Sequence, residues 1–196
     1  MEIVHLDAEL IVVDKPAGML SVPGRSEPDC ASARVQALYP DALVVHRLDM
    51  ATSGLLLFAR GPKAQRALSA DFAERRVNKR YVALVSGQLD APQWQEIDLP
   101  LNADWPNRPL QVVDRANGKP SLTRYRALAH EGGHTRLELE PVTGRTHQLR
   151  VHLQAIGHPI VGDMLYGGEP APRLMLHACR LELPVRSLCV ESLPDF

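Results

Sequence analysis

Arg145, His147 and Arg150 place three basic side chains within the short stretch Gly144-Arg145-Thr146-His147-Gln148-Leu149-Arg150. Thr146–Ile156 reads as a helix, with Thr146 as its N-cap and Gly157 followed by Pro159 as its stop. Arg145 and His147 then stand at the helix start, where cations oppose the macrodipole and cost stability unless an anion lies near. The chemistry implied is the holding of a phosphate or a carboxylate. Asp49, in His46-Arg47-Leu48-Asp49, is a candidate for that carboxylate, although a loop aspartate is commonly a turn former and His46 commonly a strand-end residue. On the predicted helix Leu149, Leu153 and Ile156 share a packing face, and His147, Arg150 and Gln154 share the opposite face, offered outward. Spacing sets other chemistries aside. His147 and His152 diverge by roughly 140° on a helix and face opposite sides of a strand, so they do not share a metal. Neither a GxSxG elbow nor a GxxxxGKS/T loop occurs, which removes the usual sequence signs of an α/β-hydrolase or a P-loop nucleotidase.

The elements that must position these residues are short, because sixteen prolines and thirteen glycines interrupt the chain often. Leu10–Asp14 is an apolar strand that enters a tight turn at Lys15-Pro16-Ala17-Gly18. Leu43–His46 and Gly54–Ala59 read as strands joined by the polar connection Arg47–Ser53, which puts Asp49 on a loop. Pro62 suits a first helical turn, and Ala64, Ala67, Leu68 and Phe72 recur at helical spacing as far as Arg76. Arg80–Ser86 and Thr135–Glu140 alternate as strands, and Leu174–Ala178 and Leu181–Leu183 return to that pattern. On this reading Tyr81 is a half-buried strand tyrosine. Strands and helices without regular alternation indicate an α+β fold with a mixed, largely antiparallel sheet flanked by helices and loops.

The length of 196 residues, 45% of them hydrophobic, fits a single domain spanning 1–196 with a sizeable core. No basic segment precedes a long apolar run, so neither a signal peptide nor a membrane span is expected, and the chain is placed in the cytoplasm. Cys30, Cys179 and Cys189 lack CxxC spacing and are expected as reduced thiols. The net charge of −1 carries no hint of a polyanionic partner. Its distribution does: Arg60, Lys63, Arg66, Arg75, Arg76, Lys79 and Arg80 face only Asp71 and Glu74 in the same segment, as a solvated helix face or a phosphate-contacting patch would.

Longer runs narrow these alternatives. HRLDMATSG resembles the signature of the RluA family of pseudouridine synthases, and NKRYVALVSG and PVTGRTHQLRVHLQAIGHPIVGDMLYG resemble two further motifs of that family in the expected order. VDKPAGMLSVPGR, LPLNADWPNRPLQ and RLMLHACRL extend the resemblance over nearly the whole chain. It implies the pseudouridine synthase catalytic fold, with no separate N-terminal RNA-binding domain, as in a compact branch whose members modify a ribosomal RNA loop and a tRNA anticodon stem-loop. The implied partner is structured RNA, an rRNA or tRNA stem-loop, acted on by a monomer away from membranes, without cofactor or metal.

Residue by residue, the resemblance makes Asp49 the essential carboxylate, acting as a nucleophile toward the sugar or as the base that removes a ribose proton. It makes Arg150 the arginine that pairs with that carboxylate, and Tyr81 the active-site tyrosine that stacks on uracil. Arg47 matches the residue that enters the space left by the displaced nucleotide, and Leu176 an apolar wall against the base. His46, Arg145 and His147 complete the expected substrate-binding set. Two other readings remain at this point: a synthase of the same family with another RNA target, and a non-catalytic RNA-binding domain.

Overall fold

A computed structural model describes residues 1–196. Along the chain run β1 (Glu2–Leu6), β2 (Leu10–Lys15), α1 (Ala31–Leu38), β3 (Ala42–Val44), β4 (Ser53–Arg60), α2 (Gly61–Ala73), β5 (Asn78–Ser86), β6 (Gln95–Asp98), β7 (Leu101–Ala103), β8 (Gln111–Val113), β9 (Leu122–Glu131), β10 (His134–Pro141), α3 (Gln148–Ala155), β11 (Leu176–Leu183) and β12 (Leu188–Glu191). The α+β class expected from the sequence holds. The chain divides into two compact units, Met1–Lys79 with His177–Asp195, and Arg80–Leu176 with Phe196. None of the helices is long and apolar enough to cross a membrane.

In the first unit β4 lies between β2, antiparallel to it, and β11, parallel to it. Residues Ser53 to Ala59 of β4 are all buried, as are Leu10 to Val13 of β2. Apolar runs without alternation are what strands covered on both faces require. Helix α2 begins with Pro62 in its first turn and packs Ala64 and Leu68 against Leu55, Leu57, Leu181 and Leu183. Beyond α2, Arg75 takes a left-handed conformation, φ 59°, and the chain turns into β5.

The second unit is an antiparallel sheet ordered β5, β10, β9, β6, with β7 and β8 forming a separate hairpin. In β10 every second residue from Thr135 to Pro141 is buried, the alternation expected from its sequence. Helix α3 differs from its expectation in two ways. It starts at Gln148, its N-cap is His147 in the left-handed conformation (φ 53°), and Thr146 is exposed. All six residues from Gln148 to Leu153 are buried, so no outward polar face exists over that span, and Arg150 is only 4% exposed. A helix buried all round keeps polar residues only where each finds a partner. Gln148 donates to Leu122 O and Thr123 Oγ1, and His152 lies between Thr123 Oγ1 and Leu99 O, both at 2.9 Å.

Candidate active site

Asp49 is half-buried on the connection between β3 and β4, as expected. What holds that connection is largely main chain. Leu48 both donates to and accepts from Ser21 Oγ, at 3.0 and 2.7 Å. Met50 O accepts from Gly18 N at 2.9 Å and from Lys15 Nζ at 3.2 Å, and Thr52 N–H closes a turn on Asp49 O at 3.1 Å. The Lys15 ammonium also donates to Pro16 O and Met19 O, so three carbonyl oxygens surround it. Lys15 is fully buried at the end of β2. Burial lowers its pKa to about 8, against the opposing pull of Asp49 and then Asp14. A cation therefore stands within electrostatic reach of Asp49 from the turn Lys15-Pro16-Ala17-Gly18. Lysines are mostly exposed, so the sequence of that turn gives no sign that its ammonium faces inward.

His46 and Arg47 part company. His46 stacks on Phe72 with ring centroids 4.5 Å apart, and its Nε2 accepts Leu57 N–H at 3.0 Å. Desolvation, and then the Lys79 charge, push its pKa down to about 3. The ring is neutral, carries its proton on Nδ1, and offers no charge to a phosphate. Arg47 is exposed.

The remaining expected residues lie in the second unit. Arg150 makes a two-pronged ion pair with Asp163, Nε to Oδ2 at 2.8 Å and Nη2 to Oδ1 at 2.7 Å, with both side chains buried. Its guanidinium also lies 5.0 Å from the centre of the Tyr166 ring. The Tyr166 hydroxyl is 2.7 Å from His147 Nδ1 and accepts Gln111 N–H at 2.9 Å. Arg145 is exposed, its Nε donating to Pro120 O at 3.3 Å. Asp163 and Tyr166 fall in the stretch PIVGDMLYG, whose spacing alone gives neither residue a role. Tyr81 is half-buried in β5, opposite Leu139, and Leu176 is buried at the start of β11.

The basic segment is thinner in space than in sequence. Arg60 pairs with Asp41, Arg76 with Asp71 and Glu74, and Arg80 with Glu140. Lys63, Arg66 and Arg75 stay exposed on and just after α2, which suits contacts to a polyanion.

Comparison with known proteins bears on this arrangement. Residues 9–155 match the sequence model of a family described as RNA pseudouridylate synthase. The chain is 49% identical over 183 residues to the dual-specificity RNA pseudouridine synthase RluA of Escherichia coli (strain K12), covering 90% of this chain and 83% of that protein. Against the protein of the same name from Yersinia pestis the identity is 46% over 199 residues, covering 100% of this chain and 94% of that one. Among solved structures, human RNA pseudouridylate synthase domain containing 1 superposes with a TM-score of 0.84 at 32% identity, over 99% of this chain and 83% of that one.

Proposed function

The chain belongs to the RNA pseudouridylate synthase family and is a pseudouridine synthase, and from that premise we propose that it modifies uridines in both a ribosomal RNA loop and a tRNA anticodon stem-loop. The relatives named dual-specificity synthases support this choice of targets. On this reading the whole chain acts in the cytoplasm as a monomer and as one catalytic domain, away from membranes.

Forming pseudouridine breaks the bond from uracil N1 to ribose C1′, turns the base and rejoins it through C5, with no net change of atoms. Asp49 supplies the carboxylate, attacking the sugar or removing a ribose proton, and the observation that carries this role is its turn. Lys15, Gly18 and Ser21 fix the backbone on both sides of Asp49, and the buried Lys15 ammonium stands within electrostatic reach of its carboxylate. Arg150 is the arginine assigned to that carboxylate, and Asp163 holds its guanidinium in one orientation for the task. Tyr81 stacks on the uracil and Leu176 walls the ring. Removing a base from a folded stem-loop costs a few kcal/mol, which an inserted Arg47 guanidinium offsets in part. Arg145 and His147 face the RNA backbone, while His46, neutral and stacked inward, serves binding by setting the position of Arg47.

The test is tritium release from ribosomal and tRNA stem-loop transcripts labelled at uridine C5. The wild-type chain releases tritium, and Asp49→Asn abolishes release while its thermal unfolding is unchanged. Full activity in that variant would sink the assignment of the carboxylate.

A further inference from the structure

Ser53, His177, Ser192 and Asp14 form a continuous hydrogen-bonded row inside the first unit. Ser53 Oγ lies 2.9 Å from His177 Nδ1, His177 Nε2 lies 3.1 Å from Ser192 Oγ, and Ser192 donates to Asp14 Oδ2. Ser53 and His177 are buried, and Asp14 and Ser192 half-buried. The direction of the row follows from counting protons. A serine hydroxyl has one hydrogen, and that of Ser192 goes to Asp14. Ser192 can then only accept from His177, so in a neutral ring Nε2 carries the proton and Nδ1 accepts from Ser53. Asp14, at one end, thereby sets the orientation of a hydroxyl at the other.

That hydroxyl stands at the far end of the Asp49 turn. Ser53 begins β4 one residue after Thr52, whose N–H closes the turn on Asp49. In the parallel pairing of β4 with β11, His177 is in register with Ser53 and Ala178 with Gly54. The approach is very close: a Cβ on Gly54, which has φ +108°, would sit 2.4 Å from Ala178 O. Lys15, Gly18 and Ser21 secure the first half of the turn through its backbone. The row secures the second half through a side chain. Buried polar rows of this kind rigidify when every member is satisfied.

We propose that Asp14, Ser192 and His177 are positioning residues that act through Ser53 to fix the Asp49 turn, so that the rate of the chemical step depends on them and RNA affinity does not. The proposal rests on the reading of Asp49 as the essential carboxylate. The four side chains work on the carboxylate's placement, without themselves touching the uridine.

Two measurements test it. Long-range 1H–15N NMR of histidine-labelled protein without RNA reads the His177 tautomer, expected as Nε2–H; an Nδ1–H tautomer overturns the relay. Single-turnover kinetics use the labelled transcript on which the wild-type chain acts. Asp14→Asn and Ser192→Ala should each lower the rate constant about tenfold or more while the RNA dissociation constant stays within about twofold. Ser192→Thr, which keeps the hydroxyl, should restore the rate. Wild-type rates in Asp14→Asn and Ser192→Ala alongside an inactive Asp49→Asn overturn the relay alone, as does a loss confined to RNA affinity. A fully active Asp49→Asn overturns the underlying assignment instead, whichever tautomer is found. Should Asp14→Asn or Ser192→Ala fail to fold, the wild-type tautomer and the Ser192→Thr rate still decide.

Discussion

Around Asp49 the first unit grips main chain: Lys15, Gly18 and Ser21 bond the backbone of Leu48 and Met50. Around Arg150 the second unit grips a side chain, a guanidinium held in two places by Asp163 and resting on Tyr166. The contrast follows the work proposed for each. A carboxylate that must meet a sugar is best placed through the backbone that carries it, whereas a cation that must present one fixed orientation is best locked at its own head. Damage should therefore differ in kind between the two: the second region should lose stability when a partner is removed, and the first should lose placement.

The largest effect is expected from Asp163→Ala, which removes two charge-assisted hydrogen bonds from a buried guanidinium and should cost about 3–5 kcal/mol. Urea unfolding measures it, and a loss below about 1 kcal/mol would show that packing on Tyr166 holds Arg150. Next is Gly54→Ala, where both the +108° φ and the carbonyl of Ala178 oppose a methyl group; a loss of about 2–3 kcal/mol is expected. Activity should fall further than stability alone accounts for, since the start of β4 must move, and an active, fully stable Gly54→Ala would remove the distinction drawn for the first region.

Lys15 sharpens the comparison through pH. Burial holds its folded-state pKa near 8, below the ordinary 10.5. The unfolded chain then binds more protons between those values, so the contribution of Lys15 to stability rises with pH across that window, by at most about 3 kcal/mol. Unfolding of wild type and Lys15→Met compared at pH 7 and pH 10 should show this, and the opposite slope would mean that an ion pair dominates over desolvation. Lys15→Met should also lose most activity, because three carbonyls lose their donor. The smallest effect is expected at Lys63→Ala on exposed α2, which should lower the slope of log RNA affinity against log salt by about one without changing the rate at saturating RNA.

The sequence pattern was informative where one physical cause acted alone. The apolar runs of β2 and β4, the alternation in β10 and the proline-started α2 all appear near their expected places. α3 departs from its expected outward polar face because helical periodicity divides residues into packed and solvated, and has no class for polar residues buried with partners. Asp163, which gives Arg150 its place inside, is thirteen positions further along the chain and joins it only in the fold. The short β6, β7 and β8 have too few residues to show a period, and β1, α1, the ten-residue β9 and β12 likewise carry no expectation from the sequence. His177 read as part of a strand, since nothing in its neighbours shows that Ser53, 124 positions earlier, would meet its ring.

His147 begins α3 in a left-handed conformation that side chains other than glycine adopt at a cost of about 1–3 kcal/mol. Tyr166 holds its ring from the other side. A population of variants selected only for heat resistance should therefore accept glycine at this position readily, and one selected for RNA modification should keep the histidine. The position marks where improving the molecule's durability and preserving its use pull in opposite directions.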